Sequence, residues 1–192
     1  MHIDRLLYPI ESLGPGRRLV IWTAGCSKRC AYCSNPELWE ADEAGSISVE
    51  TLYEMVEGVY SRHAVDGITI TGGDPLEQLD ELLELVKRLK ALCEDILVYT
   101  GFTIKELKQK LSPEQMAELM ENVGVLIDGK YIHALNHSTA ALRGSVNQKL
   151  FFFDEKLRER YGRYMSGGRT IKNVFYKNSI ISVGIHNRRK TK

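Results

Sequence analysis

The chain has 192 residues, 43% hydrophobic and 27% charged, which supplies a core of ordinary domain size and excludes an intrinsically disordered chain. Its net charge of +1 hides an asymmetry: residues 155–192 hold 11 of the 26 Lys and Arg but 2 of the 25 Asp and Glu, so this extension is net +9 and residues 1–154 are net −8. No apolar run approaches membrane-spanning length, and Met1-His2-Ile3-Asp4-Arg5 lacks the basic and apolar regions of a secretory signal, so a cytoplasmic protein with no membrane partner is expected.

Residues 1–18 hold a short apolar segment, Leu6-Leu7-Tyr8, expected at a sheet edge, then the turn Leu13-Gly14-Pro15-Gly16-Arg17-Arg18. Glycines on either side of a proline mark a tight bend. The bend feeds a predicted strand over 19–24, which ends at a cysteine-rich loop closed by Asn35-Pro36. A helix is predicted over 48–62, with Val49, Leu52, Tyr53, Val56, Val59 and Tyr60 on one face and Ser48 as its cap. Gly67–Thr71 predicts a strand, followed at once by Gly72-Gly73-Asp74-Pro75 and an amphipathic helix over 77–92. Residues 96–100 predict the next strand. Thr103 with Glu106, and Ser112 with Pro113 and Gln115, are capping signatures that open two further helices. Val123–Gly129 and Lys149–Phe153 predict two more strands.

Alternation of strand and helix argues for a parallel α/β sheet with crossover helices. Near-continuous apolar strands fit a sheet covered on both faces. Ligands of such sheets gather at the carboxyl ends of strands. The cysteine loop, Gly72-Gly73-Asp74, Thr100-Gly101 and Asp128-Gly129 each follow a strand, which puts four polar or glycine-rich features on one rim. Beyond residue 154 the character changes. A charged helix over 154–164, a Ser166-Gly167-Gly168 break and a hairpin across Lys177-Asn178 are predicted, and Arg188–Lys192 is expected to fray. The division expected is a body over 1–154 and a basic extension over 155–192. A solvated appendage that neutralises its own body is the simpler reading of that extension, and a partner contact is the other. The basic residues are not interleaved with a nucleic-acid reading element, so nucleic acid is not the expected partner.

Cys26, Cys30 and Cys33 stand within eight residues, spaced C-x3-C-x2-C. In a cytoplasmic chain such a cluster points to a metal or catalytic site rather than disulfides. Structural zinc and complete iron–sulfur clusters both take four protein ligands. Three cysteines without a fourth nearby suggest a cluster with one open iron; a zinc loop completed by a distant His or by Cys93 is the competing reading. Cys93 itself reads as a small buried hydrophobe. His63 suits the end of a helix, and His133 and His137 fall in an irregular loop where solvation is expected.

The spacing, with Tyr32 just before the third cysteine, resembles the radical S-adenosylmethionine superfamily. Gly14-Pro15-Gly16-Arg17, Asn35-Pro36 and Trp39 resemble its glycyl-radical-enzyme activases. Leu126-Ile127-Asp128-Gly129 and Leu142-Arg143-Gly144-Ser145-Val146-Asn147-Gln148 are similar to the branch that activates anaerobic ribonucleotide reductase. The chain departs from that pattern at Leu13, Ser34 and Lys130. The resemblance implies a partial (β/α) barrel of parallel strands with cluster and cofactor at the C-terminal strand ends. It implies a [4Fe–4S] cluster on Cys26, Cys30 and Cys33, and S-adenosylmethionine held by Tyr32, Cys33, Ser34, Gly72, Gly73, Asp74, Thr100 and Asp128. No side chain is then required as acid, base or nucleophile, because the cofactor carries the chemistry. Arg143 and Asn147 would hold either the partner or their own loop. The implied partners are a glycyl radical enzyme, whose glycine Cα would lose a hydrogen, and a one-electron donor such as flavodoxin or ferredoxin. The alternatives are a small-molecule radical enzyme of the deazapurine-synthase type and a metal-bearing nucleic-acid module.

Overall fold

Every residue of the second strand is buried, and the rest of the chain is arranged around it. The computed structural model describes residues 1–187, so the fraying expected of 188–192 lies outside the described residues. The main sheet has six strands in the order β1 (Ile3–Ile10), β2 (Arg18–Thr23), β3 (Gly67–Gly72), β4 (Ile96–Tyr99), β5 (Val125–Asp128) and β6 (Lys149–Phe152). The four central strands, β2 to β5, are parallel. Both outer strands are antiparallel to their neighbours. This departs from an all-parallel sheet because a parallel neighbour needs a long crossover. The turn over 11–17 is too short to provide one, and residues 129–148 contain a single 3-10 turn, His133–Leu135, in place of a helix.

The crossovers between central strands are helical: α1 (Val49–Tyr60), α2 (Leu79–Leu89), α3 (Ile104–Lys110) and α4 (Pro113–Asn122). Sequence signals set their ends. The Ser48 side chain accepts from the Thr51 N–H, and Thr103 and Ser112 both complete reciprocal capping boxes. Alternation along the strands then sorts side chains between two faces. Leu19, Ile21, Ile68, Ile70, Ile96, Val98 and Leu126 pack against Leu52, Val56, Leu82, Leu85, Leu107 and Leu119 of the helices. Cys93 is half-buried beside this core.

The other face is covered by the C-terminal part of the chain. Helix α5 (Arg158–Ser166) sets Tyr161, Tyr164 and Met165 against Leu97, Val125 and Ile127. A hairpin of β7 (Ile171–Tyr176) and β8 (Ser179–Gly184) packs Val174, Ile181 and Val183 on Val20 and Trp22. Among the described residues these two strands pair only with each other. No helix among the described residues is long and apolar enough to cross a membrane.

A buried ion pair ties the amino ends of the strands to α5. Arg18 is fully buried; its guanidinium donates to both carboxylate oxygens of Asp95 at 3.0 and 3.1 Å, to Thr69 Oγ1 at 2.6 Å and to the Pro15, Ile68 and Asp95 carbonyls. The Tyr161 hydroxyl donates to Asp95 Oδ1 at 2.7 Å. A buried charge that loses its partner is costly. Asp95→Asn is therefore expected to destabilise the fold by about 3–5 kcal/mol, read as a lowered urea midpoint.

Candidate functional site

At their carboxyl ends β2 and β3 stay in register to the pair Thr23 and Gly72. Beyond it the Gly73 N–H donates to the Thr23 carbonyl at 2.7 Å and the Asp74 N–H to the Gly25 carbonyl at 2.8 Å. The two backbones nearly touch. A Cβ on Gly73 would lie 2.3 Å from the Gly25 oxygen, and one on Gly72, whose φ is +112°, 2.4 Å from the Thr23 oxygen. Only glycine tolerates both. The cysteine loop starts here, railed on its other side by the Gly25 and Cys26 N–H groups donating to the Leu38 and Trp39 carbonyls. Within the loop Arg29 and Tyr32 hold left-handed backbone, at φ 41° and 60°, and the Cys33 N–H turns back to the Cys30 carbonyl at 3.1 Å. The Ser27 N–H donates to Glu77, which also faces Lys28 at 3.7 Å.

Asp74 lies beneath this rim, 1% exposed. Its Oδ1 accepts from the Thr100 hydroxyl at 2.8 Å and the Leu76 N–H at 3.2 Å, and its Oδ2 from the Gly101 N–H at 3.0 Å. Burial pushes its pKa up to about 6, against the opposing pull of those donors and of Lys28. A carboxylate offers about four lone-pair sites. Three are taken by the protein, which leaves Oδ2 able to accept one more donor.

Asp128 is turned to backbone. Its Oδ2 accepts from the Ile104 N–H at 2.8 Å and its Oδ1 from the Lys149 N–H at 3.1 Å, so it pins the start of α3 and the start of β6. The 129–148 loop that follows folds over the cysteine loop. Its His133 ring stacks on Tyr32, centroids 4.2 Å apart and planes 26° off parallel, and His133 Nδ1 pairs with the Tyr131 hydroxyl at 3.0 Å. The sequence pointed His133 to solvent; the contact arises only when an irregular loop returns to a distant one, and no periodic pattern marks it. Arg143 and Asn147 hold their own loop, donating to the Gln148 and Lys130 carbonyls at 3.1 and 2.9 Å. Gln148 bridges the loop, accepting from the Gly144 N–H at 2.8 Å and donating to the Gly129 carbonyl at 2.8 Å.

These elements enclose a cavity of about 390 Å³. Cys26, Cys30, Cys33, Ser34, Gly72, Gly73 and Thr100 line it. Asp74 stands behind Thr100 and Gly101, Tyr32 stands outside at 72% exposure, and Asp128 is absent from the lining. Residues 181–186 of the C-terminal hairpin form a further wall, which nothing in the sequence tied to the cysteines. The donor set fits an iron–sulfur cluster held by three thiolates with a cradle of glycine backbone beside it. Among the described residues no three His, Cys, Asp or Glu side chains converge as they stand to hold a metal ion. The three thiols share the cavity rather than one point. Burial pushes the Cys26 and Cys30 thiols up, and a backbone hydrogen bond from Tyr131 opposes this at Cys30. Cluster uptake then releases protons and is favoured by rising pH. Gly73→Ala, which forces the cysteine loop off the β3 end, is expected to cut iron and sulfide per reconstituted chain by about half or more while the far-ultraviolet spectrum stays that of the wild type.

The profile of a family described as "4Fe-4S single cluster domain" matches residues 12–151. The chain is 36% identical over 157 residues to the anaerobic ribonucleoside-triphosphate reductase-activating protein of Enterobacteria phage T4, covering 79% of this chain and 94% of that one. It is 31% identical over 147 residues to the protein of that name from Escherichia coli K12, covering 73% and 92%. Against the Vibrio cholerae protein of that name it is 31% identical over 152 residues, covering 76% and 95%. With its three thiols at the end of β2 inside the matched span, the chain belongs to the 4Fe-4S single cluster domain family, alongside these reductase-activating proteins.

Proposed function

We propose that the chain is a radical S-adenosylmethionine activase that installs a glycyl radical on a partner enzyme of the anaerobic ribonucleotide reductase class. Cys26, Cys30 and Cys33 would hold a [4Fe–4S] cluster. When bound, cluster and S-adenosylmethionine would supply radical chemistry, with one electron from a flavodoxin- or ferredoxin-type donor as the input and a glycine Cα hydrogen of the partner as the target. The observation that carries the reading is the meeting of the cysteine loop and the Gly72-Gly73-Asp74 turn at adjacent strand ends, around one cavity. The names of the relatives support the partner class.

The chain's own residues bind and orient. Gly72 and Gly73 leave backbone open to close approach. Asp74 offers its free Oδ2 position to an ammonium group as a charge-assisted bond, and Thr100 fixes the carboxylate that does so. The Tyr32–His133 stack presents an aromatic surface beside the third cysteine. We read the sheet as a partial (β/α) barrel with the cluster at its C-terminal strand ends. Support comes from the parallel β2–β5 core, with helices α1–α4 on one face and the cavity at the rim. A small-molecule substrate is the second reading, favoured by the hairpin wall across the cavity.

The test is anaerobic reconstitution, reduction and addition of S-adenosylmethionine with an anaerobic ribonucleotide reductase. 5′-Deoxyadenosine and a glycyl radical signal on the reductase are expected, and Cys30→Ala should abolish both. Cofactor cleavage without a radical on any glycyl radical enzyme would remove the activase assignment and favour the small-molecule reading. Asp74 gives a separate prediction. Its proton must leave before it can hold an ammonium group, so cofactor affinity should rise with pH below pH 6, by up to about tenfold per unit, and level off above it. Asp74→Asn should bind more weakly and with a flat profile, measured by equilibrium binding.

A further inference from the structure

The family match stops at residue 151, yet the chain beyond it walls the cavity. Arg169 stands between α5 and the hairpin and directs its guanidinium into the 129–148 loop. Its Nη1 donates to Asn136 Oδ1 at 2.7 Å and its Nε to the Ala140 carbonyl at 3.2 Å. Its Nη2 donates to the Arg143 and Gly144 carbonyls at 3.0 and 3.3 Å. Nη1 also holds the segment that follows β8, through the His186 carbonyl at 3.0 Å and Asn187 Oδ1 at 3.2 Å. One side chain thus clamps two walls of the cavity to each other.

The clamped loop is the one that touches the cysteines' surroundings. Gly144 lines the cavity and is bonded through Gln148 to Gly129, also in the lining. The Ile132 N–H donates to Ser145 Oγ at 3.1 Å, and next to it Tyr131 and His133 reach Cys30 and Tyr32. A planar guanidinium suits this task, since its donors fan out in one plane to several fixed carbonyls at once. An ammonium in its place reaches fewer of them.

We propose that the C-terminal extension is a working part of the reaction site and that Arg169 is its positioning residue, fixing the 129–148 loop and the 181–186 wall relative to the cysteine loop. This rests on the function proposed above for what the cavity binds. Arg169 touches no reacting atom, and its effect is carried by the loop it holds. The extension then sets the shape of the side of the cavity that faces the substrate, while the matched region supplies the cluster ligands.

The test uses full-length chain, reconstituted, with Arg169→Ala, Arg169→Gln and Arg169→Lys. Lys172→Ala serves as control, because Lys172 lies in the hairpin that follows Arg169 and, among the described residues, its side chain bonds only the surface Glu11. Arg169→Ala is expected to take up iron and sulfide as the wild type does. The S-adenosylmethionine concentration needed to change the electron paramagnetic spectrum of its reduced cluster should rise about tenfold, the scale of a lost charged hydrogen-bond set. Arg169→Lys should recover part of that loss and Lys172→Ala should show none. Wild-type response in both Arg169→Ala and Arg169→Gln, or an equal loss in Lys172→Ala, would overturn the proposal. A wild-type cluster whose spectrum ignores S-adenosylmethionine would instead sink the proposed function. Amide exchange in the cluster-free chain then decides for Arg169 alone: exchange at Ile132, Gly144 and Val146 faster by about tenfold in Arg169→Ala or Arg169→Gln supports the clamp, and unchanged exchange overturns it.

Discussion

The Arg18–Asp95 pair is the interaction on which the arrangement depends. Arg18 opens β2, Asp95 precedes β4, Thr69 and Ile68 of β3 take the remaining donors, and Tyr161 brings in α5. One buried charge pair therefore fixes three parallel strands and the helix on their second face. Such a pair specifies an arrangement more than it adds net stability, because both ions must be taken out of water. It sits at the amino ends of the strands, which leaves the carboxyl ends free to carry loops selected for binding.

At those carboxyl ends the constraint is steric rather than electrostatic. Gly72 and Gly73 let β3 run on against the start of the cysteine loop, and Asp74, just beyond, is buried by the same approach. The glycines, the loop and the carboxylate are consequently one unit. A side chain at either glycine moves all three.

Much of this was legible in the sequence because the signals were local. The apolar run at 19–22, the stripe on 79–89 and the Thr103 and Ser112 caps each act within a few residues, and each element formed where its signal stood. The cysteine spacing and the Gly-Gly-Asp turn were legible for the same reason, as motifs bound to strand ends. First-strand length was not: only Leu6–Tyr8 stood out, whereas β1 runs from Ile3 to Ile10 with Asp4 and Arg5 paired to each other inside it. The antiparallel pairing of β6, the Tyr32–His133 stack and the pairing of Asp128 with Lys149 depend on where an irregular loop goes, which no periodicity encodes. The role of the extension was hidden for a similar reason. Its charge drew notice, but it is held to the body by apolar side chains such as Tyr161 and Val183 and by the single fan of Arg169.

Among the described residues the hairpin shares no ladder with the main sheet. Its strands are joined to each other alone, and it is attached through side chains and a few carbonyls. Two-stranded units are marginal by themselves, so this one is ordered by what it leans on. A wall attached in that way is modular. It can be lengthened, trimmed or replaced over a lineage without shifting the register of any strand that carries a cysteine or a glycine of the rim. The shape of the cavity on that side is thereby uncoupled from the strand ends that carry the cysteines and glycines.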